Sequence, residues 1–136
     1  MKENSQAVYV TIVIYSKEPD GHGVGVELNY KDCDQFQPFH IFSLWLPKAE
    51  FPSERKVLFY IFAETAKHLT ENIEFVNFRA TSPYFGHSRE LMKRKSGVFL
   101  GDRQRYLTHL KTTPRQALGL ALDAVKRRNS IEERLM

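Results

Sequence analysis

Val8, Val10, Ile12 and Ile14 fall on one side of an extended chain, and Tyr9, Thr11, Val13 and Tyr15 on the other. Both sides are largely apolar and β-branched, so Val8–Tyr15 predicts a central strand covered on both faces. Glu18–Gly23 (EPDGHG) is a turn by composition. Val24, Val26, Leu28 and Tyr30 then alternate with Gly25, Glu27 and Asn29, the pattern of a strand with one wet face. Lys31–Gln37 is polar and reads as a loop. Phe39–Leu46 (FHIFSLWL) predicts a third strand, closed by Pro47. Three strands with short links make an antiparallel meander.

The period then changes. Behind Ser53, a good N-cap, Val57, Leu58, Ile61, Phe62, Thr65, Ala66 and Leu69 recur at three- and four-residue spacing and predict an amphipathic helix. Ile73–Phe78 (IEFVNF) predicts a fourth strand. A strand, a helix and a strand favour a crossover and a parallel pairing. Ser82-Pro83 reads as an N-cap with proline at the first helical position, opening a short helix through Tyr84, Phe85, Ser88, Leu91 and Met92 that ends near Gly97. Val98–Leu110 is ambiguous, with Arg105–Leu110 (RYLTHL) a possible short strand. Thr113-Pro114-Arg115-Gln116 reads as a capping box for a last helix carrying Ala117, Leu118, Ala121, Leu122 and Val125 on its stripe. Lys126, Arg127 and Arg128 close it in the sense the helix dipole favours. The tail from Asn129 to Met136 reads as frayed. The expectation is one α/β domain over 1–136, a mixed sheet in the order β-β-β-α-β-α-(β)-α.

Composition narrows the class. In 136 residues, 42% hydrophobic and 26% charged, a single core can close, which excludes a disordered chain. The apolar runs are far shorter than the roughly 20 residues that span a bilayer. The chain opens MKENSQ and passes straight into a strand, without the pattern of a signal peptide. The single cysteine, Cys33, rules out an internal disulfide and a cysteine-based zinc cage. A cytoplasmic domain, soluble and without a membrane partner, is expected.

Charge is distributed unevenly. Met1–Phe78 holds 7 basic and 11 acidic residues, net −4; Arg79–Met136 holds 13 basic and 5 acidic, net +8. Arg89, Lys93, Arg94, Lys95, Arg103, Arg105 and Arg115 are therefore the candidate nucleic-acid-binding residues, with an acidic protein as the other partner such a surface would take. The plain alternative is a set of solvated helix faces, since the residues fall in separate clusters. Aromatic residues make up 12%. Phe36, Phe39, Phe42 and Trp45 could form a base-stacking platform, but rings on a strand more often serve a core or an oligomer edge. Phe39, Phe42 and Trp45 are the candidate interface, predicting a homo-oligomer such as a homodimer.

The remaining reactive residues suggest no chemistry. Asp20, His22, Glu27, Asp32 and Asp34 read as a polar hairpin and loop. His22, His40, His68, His87 and His109 lack metal-ligand spacing. Cys33 lies between two aspartates, which raises its pKa. Ser16, Ser82 and Ser88 have no nucleophile-elbow context. Gly21-His22-Gly23-Val24-Gly25 enters a strand, whereas a phosphate cradle opens a helix. No catalytic residue, metal ligand or cofactor site is assigned.

The element order resembles that of the ribonuclease H-like fold. Tyr15-Ser16-Lys17 through Gly21–Gly25 resembles that family's first strand and glycine-rich turn. Ser53-Glu54-Arg55 resembles the start of its helix after strand three, and Arg79–Tyr84 the end of strand four running into a serine-capped helix. The resemblance covers most of the chain in order and pattern, with no specific motif. The family's nucleases hold two divalent metals with clustered carboxylates. The matching positions here are Ser16-Lys17, about Val57, and Ala80-Thr81, which supply none; Asp123 in the last helix would stand alone. The resemblance implies a catalytically silent member, a non-enzymatic binding module. The alternatives are a self-assembly module built on the aromatic third strand, or a small enzyme with an unrecognised site.

Overall fold

A computed structural model of the chain describes residues 6–32, 35–70 and 72–135. Cys33 and Asp34 lie outside them, as do the side chains of Asp32 and Arg105. The elements run β1 (Gln6–Lys17), β2 (Gly21–Asp32), β3 (Gln35–Pro47), α1 (Glu54–Lys67), β4 (Ile73–Ala80), α2 (Tyr84–His87), α3 (Arg89–Leu100), a 3-10 turn (Gly101–Arg103), β5 (Gln104–His109), α4 (Arg115–Arg127) and β6 (Ile131–Arg134). The described strands form one six-stranded mixed sheet in the order β5-β4-β1-β2-β3-β6. β1, β2 and β3 form the expected antiparallel meander, β4 is parallel to β1, and β5 is parallel to β4.

Alternation assigns the faces. Val8, Val10 and Ile12 of β1, with Val24, Val26 and Leu28 of β2 and Val76 and Phe78 of β4, point to one side. There they meet Val57, Leu58, Ile61 and Phe62 of α1, Phe85 of α2 and Met92 and Leu100 of α3, and this is the main core. Ser53 caps α1 as its sequence predicts, its Oγ accepting the Lys56 amide at 3.3 Å. On the other side Val13 packs with Ala117, Leu118 and Ala121 of α4.

Helix α4 lies close on β2 because β2 offers it bare backbone at Gly23 and Gly25. Gly21, Gly23 and Gly25 all face that side. A Cβ on Gly25 would stand 1.8 Å from the Ala117 carbonyl oxygen, and one on Gly23 2.2 Å from that of Ala121. The small residues of α4, Ala117, Ala121 and Ala124, are fully buried in return. Gly23 and Gly25 are thus a seat for a helix backbone, while Gly21, next to the turn, fits against Leu46 and Pro47 of β3.

Several boundaries differ from expectation. The polar stretch Lys31–Gln37 is largely strand, because pairing of Lys31 with Phe36 and Asp32 with Gln35 extends the β2–β3 hairpin. Helix α3 runs through Gly97 and stops at Gly101, whose φ of 60° no side chain would favour. Pro83 precedes α2 as its cap, and Pro114 caps α4 with extended ψ, 128°, without a side-chain hydrogen bond, so neither proline is the first helical residue. The segment read as a frayed tail contains β6, which pairs antiparallel with β3 over His40–Ser43. The described residues include no helix long and apolar enough to cross a membrane.

Two glycine substitutions test the seating of α4. Gly25→Ala is expected to cost about 3 kcal/mol or more, since the obstacle is backbone rather than a movable side chain. Gly119→Ala, on the outer side of α4 with nothing within 4 Å, is expected to gain about 0.5–1 kcal/mol from helix propensity alone. Urea denaturation of both variants measures the contrast; a well-tolerated Gly25→Ala would mean that α4 does not rest on β2.

Candidate nucleic-acid interface

The basic residues chosen from sequence do not converge. Arg89, Lys93, Arg94 and Lys95 are exposed on α3, in the layer on the main-core side. Lys95 holds its ammonium 5.3 Å from the centre of the Phe59 ring of α1. Arg115 opens α4 in the opposite layer, and Arg103 lies in the turn before β5. Arg105 is in β5, its side chain outside the described set. At the far end of α4, Arg127 donates to the Ser43 carbonyl and hydroxyl, and Arg128 pairs with Asp20 and covers Trp45 at 4.5 Å. The +8 of the second half is therefore divided between two layers.

The candidate interface rings are similarly placed. Phe42 belongs to the main core at 3% exposure, and Phe39 stacks on Tyr30 at 4.2 Å beside that core. Trp45 faces the other side beneath Arg128. The meander edge that was to associate is occupied by β6 along His40–Ser43.

A different group comes together beside α4. That helix packs on β1, β2 and β3, and on the same face β5 presents Tyr106, 64% exposed, and Thr108, also exposed. Between them and the N-terminal end of α4, four strands contribute an aromatic and cationic cluster. Tyr9 of β1 meets Phe36 of β3 edge to face at 5.1 Å. The Arg79 guanidinium of β4 covers the Phe36 ring at 4.2 Å, while its Nε and Nη2 donate to Thr11 Oγ1 at 3.2 and 2.7 Å. The Lys31 ammonium lies 5.6 Å from the Phe36 centroid and 5.8 Å from that of Tyr9. Asn77 aligns with Tyr9 on one side and Tyr106 on the other, and its buried Oδ1 has no hydrogen-bond partner among the described residues. An unspent acceptor thus lies beneath two tyrosines.

Glu27, on the same face, lines a cavity of about 200 Å³ with Gln116, Leu120 and Ile41. Burial raises its carboxyl above the ordinary carboxylate range, and the Arg79 charge partly offsets this. Burial in turn lowers the Arg79 pKa, countered by Glu27 and Tyr9.

Of this group the sequence had singled out Phe36 as a possible stacking ring and Glu27 as a hairpin acid. Arg79, Lys31, Tyr9 and Tyr106 were missed, because cross-strand register brings together strands far apart in sequence, as with Arg79 and Thr11, 68 positions apart. The alternation of Tyr9 and Thr11, and that of Asn77 and Arg79, is the available signal, once β1 and β4 are paired.

The hairpin acids do not gather into a cation site among the described residues. Asp20 pairs with Arg128. His22 is buried, with Nε2 donating to the Phe51 carbonyl at 3.0 Å and Nδ1 accepting from Ser16 Oγ at 2.7 Å. Three residues the sequence left apart, His40, His68 and Glu132, do converge with ligand atoms within 4.8 Å of one another.

No family model matches the chain, and no curated protein does. Among solved structures, the chain is similar to one titled "Structure of the foamy viral protease-reverse transcriptase in complex with dsDNA", at 14% identity over 90% of this chain and 94% of that one, with a TM-score of 0.47.

Glu27 gives the stability of the fold a pH dependence of known sign. Its carboxyl binds a proton more tightly folded than unfolded, so its contribution is fully present below the unfolded pKa and is lost as pH rises through the folded value. The stability of wild type relative to Glu27→Gln is therefore expected to increase as pH is lowered from about 8 to about 4. Parallel urea titrations of the two proteins measure it; a constant difference would show that Glu27 is solvated.

Proposed function

We propose that the chain is a non-enzymatic α/β binding module of ribonuclease H-like fold that takes single-stranded nucleic acid on the sheet face beside α4. The carrying observation is the cluster of Tyr9, Phe36, Arg79 and Lys31, continued by the exposed ring of Tyr106. Aromatic rings present flat apolar surface to unpaired bases, and adjacent cations neutralise the phosphates that accompany them. Duplex would hide the base faces such rings use. The four cations of α3 and Arg115 add to the surrounding positive potential without forming the contact surface. The strand order and pairing of β1 to β5, with a helix crossover between β3 and β4, support the ribonuclease H-like reading.

The non-enzymatic part of the reading is supported by the candidate carboxylate positions. Val57 is fully buried in the core. At the end of β4 the nearby acid is Glu54, whose Oε1 accepts from Ser82 Oγ at 2.7 Å. Asp123 is on α4, in the opposite layer.

Fluorescence anisotropy with labelled homopolymeric single strands tests the binding. Tyr106→Ala and Phe36→Ala are each expected to weaken it roughly 5- to 150-fold, the value of one stacked base. Charge reversal at Arg94 and Lys95 is expected to weaken binding less and to flatten the salt slope by about one unit or less per residue. Absence of retention at low salt, or ring variants that bind like wild type, would overturn the assignment. Incubation with RNA–DNA hybrid, single strands and duplex in Mg²⁺ or Mn²⁺ is expected to leave them intact; turnover lost in Glu54→Gln or Asp123→Asn would make the protein a nuclease.

A further inference from the structure

Strand β6 has four residues, all exposed, and is held to the edge of β3 by a short ladder. Its Glu132 reaches the main-core side of the sheet, opposite the nucleic-acid face, and meets two imidazoles there. Glu132 Oε2 is 2.9 Å from Nε2 of His40 on β3 and 3.0 Å from Nε2 of His68, the residue that ends α1. The two rings are 4.5 Å apart between centroids, and both contact Phe42.

The tautomer of His68 is fixed by its other nitrogen. Nδ1 lies 2.9 Å from the Glu64 carbonyl oxygen, which can only accept, so Nδ1 carries the proton. In the neutral ring Nε2 then aims its lone pair at a carboxylate oxygen that is also an acceptor. Two acceptors at 3.0 Å need a proton or a metal ion between them. A backbone carbonyl bound to Nδ1–H is also the outer-shell arrangement that orients a metal-bound histidine and makes it more basic.

We propose that His40 Nε2, His68 Nε2 and a carboxylate oxygen of Glu132 form a divalent transition-metal site, with Zn²⁺ the fitting ion. Two imidazoles and one carboxylate are a borderline donor set that suits zinc and leaves a fourth position open. Ligand atoms around tetrahedral zinc stand about 3.3 Å apart at its usual bond lengths, so the two nitrogen–oxygen separations need to open by only a few tenths of an ångström, and all three ligand atoms already lie within 4.8 Å of one another. His40 and His68 also line a cavity of about 240 Å³ with Tyr30, Phe39, Lys67, Thr70 and Arg134, which has room for the water or small anion that would complete the shell. The ligands come from positions 40, 68 and 132, so the ion clamps the C-terminal strand to α1 and β3.

The full chain, stripped with chelator, is titrated with Co²⁺ and then Zn²⁺. One equivalent is expected to give the visible absorption of a tetrahedral nitrogen–oxygen cobalt site, bleached by Zn²⁺, and Zn²⁺ is expected to move the Nε2 resonances of His40 and His68 in ¹⁵N-resolved spectra. Glu132→Gln and His68→Gln are each expected to weaken Zn²⁺ binding at least tenfold, on the order of the loss seen for metal-site partners. Glu132 is 53% exposed at its side chain, so its amide variant does not disturb the core. His40 is nearly buried, and its variant is a weaker test because packing on Phe42 is lost as well. His87→Ala and His109→Ala are expected to bind like wild type. Absence of a one-to-one complex, or equal affinity in wild type, Glu132→Gln and His68→Gln, would overturn the site.

Discussion

The approach of α4 to β2 is the contact on which the layout of this molecule depends. A helix normally rests on side chains of a sheet, about 10 Å above it. Here two alternate glycines, Gly23 and Gly25, expose bare backbone, and the alanine face of α4 descends onto it. That choice fixes α4 over the β1–β3 half of the sheet. It also leaves the face of β5 with an exposed tyrosine and threonine, and gives Arg79, Lys31, Tyr9 and Phe36 room to pack together across neighbouring strands. Close packing in one half of the layer thus creates the open surface in the other.

The sheet meander, the long helix and the crossover were legible because each is written in apolar periodicity over seven or more residues. The exceptions have separate physical reasons. Ile131–Arg134 (IEER) has no strand alternation, and its conformation comes from pairing with β3. Gly97 is tolerated inside α3, where it faces open space, while Gly101 supplies the positive φ that ends the helix. The glycines of β2 resemble a turn in sequence, because composition does not distinguish a sharp bend from a seat for another backbone.

Sites were less legible than elements, for a geometric reason. Arg79 carries no special spacing until β4 is laid beside β1, when it falls opposite Thr11. His40 and Glu132 are 92 positions apart and share no motif. In contrast, the basic runs of α3 and α4 are conspicuous in sequence, but the sheet separates them, and Arg127 and Arg128 at the end of α4 are engaged by Ser43, Asp20 and Trp45. Local charge density thus marks separate basic runs, whereas strand register brings together residues with no common spacing.

The position of β1 has a consequence for synthesis. It precedes the other strands of the sheet in the sequence, yet it is interior to the sheet, with β2 on one edge and β4 on the other. The β2 edge is satisfied within the next hairpin, whereas Val10 waits for Phe78, 68 positions later. A chain leaving the ribosome therefore carries a strongly apolar strand with an unpaired edge until α1 and β4 have both emerged. During that interval the exposed edge, not the finished sheet, is where aggregation competes with folding.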